Sequence, residues 1–64
     1  MKVGEIWEKC NGCYPDAIKL ISHCVAGDFW ECLDLDLHMR NQTLENRTRF
    51  IPDSYIYEHY QRIK

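Results

Sequence analysis

Residues 32–39 read "CLDLDLHM". Leu33, Leu35, Leu37 and Met39 fall on one parity, and Cys32, Asp34, Asp36 and His38 on the other. A period of two over this length predicts a half-buried β-strand. The expected orientation turns the leucines toward the core and Asp34, Asp36 and His38 toward solvent. A slip of one residue would instead bury two carboxylates and expose three leucines.

The neighbouring segments fit a sheet around this strand. Upstream, 17–25 reads as a second strand, with Ile18, Leu20 and Cys24 on one face and Lys19, Ile21 and His23 on the other, ended by Ala26-Gly27-Asp28 as a hairpin turn. Before it, Val, Ile and Trp within 3–8 predict a first strand, and 9–16 a loop. Asn11-Gly12 is a dipeptide favoured where both turn residues need positive φ, and Tyr14-Pro15-Asp16 keeps the chain out of helix. Downstream, the polar run "RNQTLENR" at 40–47 reads as a loop, and 48–51 as a short strand that Pro52 ends. Asp53 or Ser54 then serves as N-cap for helical turns through about His59. Residues 60–64 read as a fifth strand, because a four-stranded sheet leaves an edge to close. The expected fold is one mainly β domain over residues 1–64: a small five-stranded barrel with a short helical turn near its C-terminus.

Sixty-four residues make at most one domain, and such a chain buries only about 60% of its unfolded surface. Formal charge is −2 and uneven, with seven acids against three lysines in 1–38 and five bases against three acids in 39–64. A net acidic chain is a poor general ligand for phosphates. With no apolar run of signal-peptide or membrane-spanning length, the reading is a soluble cytoplasmic protein with reduced thiols and no membrane partner. "NQT" at 41–43 and "NRT" at 46–48 match the glycosylation pattern, which matters only in a secreted chain.

The order "VGEIW", "AIKLIS", a long alternating strand and "IPDSYIYEHYQRI" resembles the small Src-homology-3-like barrels encoded by bacteriophages. Members often open Val-Gly-Asp/Glu-x-Trp and end in Tyr-x-x-Ile or Tyr-x-x-Val, which "VGEIW" and "YQRI" fit. The resemblance implies that fold and a viral origin, and therefore the host cytoplasm as location. It carries over no functional residues. Inhibition of a host protein follows by analogy, since one complementary surface is enough to block a partner.

Cys10-x-x-Cys13 has the spacing of half a zinc site, and Cys24 and Cys32 would have to complete it, with His23 or His38 as substitutes. A redox pair would need to open a helix, which Tyr-Pro-Asp opposes. A turn with free thiols is the simpler reading, so no cofactor and no metal are expected. Glu31, Asp34, Asp36 and His38 could form an acid-base set, but catalysis requires a pocket that so small a barrel scarcely offers. The chain therefore reads as a non-enzymatic binding protein with a protein partner. Tyr55, Tyr57 and Trp30 are its aromatic anchors, with Arg47 and Arg49 beside them. The alternatives are a nucleic-acid-binding barrel using Arg40, Arg47 and Arg49, and a zinc-stabilised module.

Overall fold

The computed structural model describes residues 1–12 and 14–64, leaving Cys13 outside the described residues. Five strands form one antiparallel sheet: β1 (Ile6–Lys9), β2 (Ala17–Cys24), β3 (Phe29–Asp34), β4 (Thr48–Pro52) and β5 (Tyr60–Arg62). Their order is β4-β3-β2-β1-β5, so β4 and β5 are open edges and the sheet does not close into the expected barrel. Two helices, α1 (Leu44–Arg47) and α2 (Asp53–His59), complete the mainly β fold. Among the described residues no helix is long and apolar enough to cross a membrane.

The core lies on one side of the sheet: Trp7, Ile18, Leu20, Trp30, Cys32, Ile51 and Tyr60, with Ile56 of α2 closing over them. Register explains the grouping. Trp7 stands opposite Ile18, Leu20 opposite Cys32, and Trp30 opposite Ile51, so cross-strand pairs stack large apolar groups on the same face.

The orientation expected for "CLDLDLHM" is reversed. Trp30, Cys32, Asp34 and Asp36 point inward, Leu33 and Leu35 lie half-buried on the outer face, and Leu37 is 81% exposed. The strand also ends at Asp34, and Leu37–Met39 form a 3₁₀ turn. The choice follows from partners. Placing Trp30 inside buries a large aromatic surface, and the carboxylates that come with it find donors. Asp34 Oδ2 accepts from the Tyr14 hydroxyl at 3.2 Å and pairs with Arg49 Nη2 at 3.2 Å, while Oδ1 accepts from the Asp36 N–H at 2.9 Å. Asp36 Oδ1 accepts the N–H groups of Asp16 and Ala17 at 2.8 and 3.2 Å. Hydrogen bonding at three of the four carboxylate oxygens offsets much of the cost of burial that had argued against this register, while Asp36 Oδ2 is buried without a hydrogen-bond partner among the described residues.

A second parity change occurs in β2. Leu20 pairs with Cys32 and Ser22 with Glu31, so Ile21 is the extra residue of a β-bulge. Beyond it the faces exchange: His23 turns inward, its ring stacked on Trp30 at 4.7 Å, and Cys24 no longer shares a face with Ile18 and Leu20. Residues 25–28 make the hairpin turn, with Asp28 at φ 53. Among the described residues the left-handed positions are Gly4 and Asp28, not Asn11-Gly12.

The expected loop at 40–47 contains α1, whose Asn46 N–H is capped by Thr43 Oγ1 at 3.3 Å. α2 already includes Asp53, with Pro52 at the N-cap position expected for Asp53 or Ser54, and the Asp53 carboxylate binds His23 Nε2 at 2.9 Å instead of capping the helix. Tyr60 sends its hydroxyl to the Pro15 carbonyl, and the Cys10 N–H reaches the His59 carbonyl at 2.7 Å, tying Cys10 and Pro15 to the junction of α2 and β5.

The reversed strand predicts a reversed order of mutational cost. Asp34→Ala removes the buried carboxylate that Arg49, the Tyr14 hydroxyl and the Asp36 N–H share and should cost about 3–5 kcal/mol. Leu37→Ala should cost less than about 0.5 kcal/mol. Urea melts of both variants check the ranking, and equal small effects would contradict the buried position of Asp34.

Candidate binding surface

Ile56, fully buried, fixes the rotation of α2. Its neighbours Tyr55, Tyr57 and Glu58 therefore point away from the core. Tyr57 is 63% exposed, with its ring edge-on to Trp7 at 5.9 Å. Tyr55 is 37% exposed and lies 4.3 Å from the His59 ring and 6.5 Å from Tyr60. Both rings are thus held from one side and open on the other. This suits an interface anchor, because little rotamer freedom remains to be lost on binding.

Each of the two carboxylates beside Trp7 and on α2 has a base next to it. Glu5 accepts the Trp7 indole N–H at 3.1 Å and faces Arg62 at 3.5 Å. A backbone hydrogen bond from Lys2, with the Trp7 N–H and the Arg62 cation, holds its carboxyl below the usual value. Glu58 is exposed on α2, 3.9 Å from the His59 ring.

The other expected site residues lie elsewhere. Trp30, expected at the binding surface, is only 4% exposed and belongs to the core. It is the large aromatic that sets the inward parity of β3. Arg47 and Arg49 are turned inward onto Asp34. Arg47 Nε donates to the Asp34 carbonyl at 3.2 Å, and Arg49 donates to the Asn46 carbonyl at 2.7 Å as well as pairing with the carboxylate. Of the expected basic patch, Arg40 stays exposed.

The acid-base set does not assemble as expected either. Asp34 and Asp36 are buried, Glu31 lies on the opposite face, and His38 meets them only through Tyr14, whose hydroxyl oxygen is 3.0 Å from His38 Nε2. Tyr14 was not singled out by its sequence context. Its role depends on a carboxylate twenty positions away.

The cysteines expected to complete a zinc site with Cys10 and Cys13 are spread through the fold. Glu8 pairs with Ala17, so Cys10 lies near the start of β2 and Cys24 at its end, a separation of about 20 Å at the usual rise per residue. Cys32 is in the core, its thiol directed at the Trp30 carbonyl. Among the described residues no three His, Cys, Asp or Glu side chains group as metal ligands. Cys13 lies outside the described residues.

Burial pushes the Cys32 thiol up to about 12 from an ordinary 9.0, and the Glu31 charge adds to the shift. A folded value raised above the unfolded one stabilises fully below pH 9.0 and less as pH climbs toward 12. The native protein should therefore alkylate at exposed Cys10 and resist at Cys32 until unfolded, with stability falling above pH 9.0. Iodoacetamide labelling with peptide mapping checks this, and early modification of Cys32 would contradict its burial.

Comparisons with protein-family models, curated proteins and solved structures find no match to this chain.

Proposed function

We propose that the chain is a small non-enzymatic binding domain that recognises a protein surface through Tyr55 and Tyr57 of α2. The carrying observation is the exposure of both rings on an element that Ile56 anchors in the core. Tyrosines braced in this way supply large contact area at low entropic cost. The exposed carboxylate of Glu58, next to Tyr57 on α2, favours a partner that presents Arg or Lys, whose cations could lie over the tyrosine faces. The resemblance to phage barrels points the same way, toward a viral chain that blocks a host protein. The helical turns between β4 and β5, and β1 seated between β2 and β5, support reading the fold as an open form of that Src-homology-3-like barrel.

Nucleic-acid binding is the weaker reading, because Arg47 and Arg49 already serve Asp34. A zinc-stabilised module would need ligands from opposite ends of β2.

The test pairs two experiments. Immobilised wild-type chain should retain a basic host protein, and Tyr57→Ala should weaken that complex by about 2 kcal/mol, roughly 30-fold in Kd. Arg40→Glu should leave it intact. Fluorescence anisotropy with single- and double-stranded oligonucleotides at low salt supplies the opposing arm. Micromolar binding there, lost in Arg40→Glu and kept in Tyr57→Ala, would overturn the protein-partner reading.

A further inference from the structure

The outer face of the sheet is the side that α2 does not cover. Inward parity at Ile18, Leu20, Trp30, Cys32 and Asp34 fixes what stands on it. One row crosses the strands as Thr48, Leu33, Lys19 and Ile6, and the next carries Phe50, Glu31 and Ser22. On the other side of the first row lie Leu35, Ala17 and Glu8, the Leu35 N–H donating to the Ala17 carbonyl at 3.0 Å and Ala17 standing opposite Glu8. Phe50 is 66% exposed and meets Phe29 edge-on at 6.0 Å. Half-buried Ile6, Ala17, Leu33 and Leu35 and exposed Phe50 thus stand among Thr48, Lys19, Glu31, Ser22 and Glu8, a larger apolar share than a sheet face that meets only water usually carries.

We infer that this face is covered by a second copy of the chain, in a two-fold face-to-face dimer. Its charges are self-complementary. Lys19 and Glu31 occupy adjacent rows on neighbouring strands. A two-fold axis lying between two facing sheets and bisecting the line from Lys19 to Glu31 brings each Lys19 over the partner subunit's Glu31. Two equivalent ion pairs result. On a lattice of about 4.8 Å between strands and 6.8 Å between alternate residues, the same operation lays Phe50 over the partner subunit's Leu35 and Ala17. The strands of the two sheets then cross at a steep angle, one of the established ways for sheets to pack.

Size permits it. A molecule measuring 31 × 24 × 19 Å has a broad side able to supply the roughly 600–800 Å² per subunit of a specific interface. A chain with one small core also gains stability from a partner by mass action. The inference is independent of the α2 reading, since Tyr55 and Tyr57 project from the helix on the core side of the sheet.

Sedimentation equilibrium of the full chain tests it. Wild type should approach twice its 7.7 kDa mass as concentration rises. Leu33→Asp and Phe50→Glu should remain monomeric with unchanged far-ultraviolet dichroism. Lys19→Glu and Glu31→Lys should each weaken association about tenfold, and the double variant should recover it, because only a Lys19–Glu31 contact between subunits responds in that way. Wild type that stays monomeric to about 0.5 mM, where even a weak association with Kd near 0.1 mM would show, overturns the inference. So does a dimer indifferent to Leu33→Asp and Phe50→Glu, or a double charge variant no better than the singles.

Discussion

The buried carboxylate of Asp34 organises this molecule. A carboxylate taken out of water must be met by donors, and these come from three places: Tyr14 in the loop before β2, the Asp36 N–H just beyond β3, and Arg49 on β4. Arg47, from the end of α1, adds a bond to the carbonyl of the same residue. Loop, strand end and helix are thereby held to one point. Tyr14 remains partly in solvent and touches His38, so the network runs from the sheet interior to the surface.

Much of the secondary structure was legible in the chain. The second strand starts at Ala17 as read, the fourth reaches Pro52, and the helix after it ends at His59 before a short fifth strand. These boundaries depend on local chemistry: proline, turn residues and β-branched runs. Which face of a strand turns inward is not local. The alternation in "CLDLDLHM" groups residues by side, but Trp30, Tyr14 and Arg49 decide the side, and two of those lie at least fifteen positions from Asp34. The bulge at Ile21 was hidden for the same reason, since a register shift exists only between paired strands. Closure of the sheet also depends on long-range pairing, and β4 and β5 do not meet.

For the residues singled out as a site, the sequence left exposure and burial undecided. Tyr55 and Tyr57 are surface aromatics, whereas Trp30 serves the core and the arginines neutralise a buried acid. Composition counts aromatics and charges without showing which of them the fold consumes. The leucine stripe gives the converse case, in which residues suited to a core stand half-buried or exposed on the outer face.

The open edge at β4 bears on assembly. Arg49 points inward from this strand and Pro52 ends it, and both devices discourage another strand from adding alongside. Edge addition is the route by which sheets grow without limit, each new subunit presenting a fresh edge. With that route obstructed at β4, self-association through the broad face, as proposed above, would use up its own surface once two copies have met. A chain that carries this much apolar surface outside its core can thus form a closed complex of fixed size instead of a fibril.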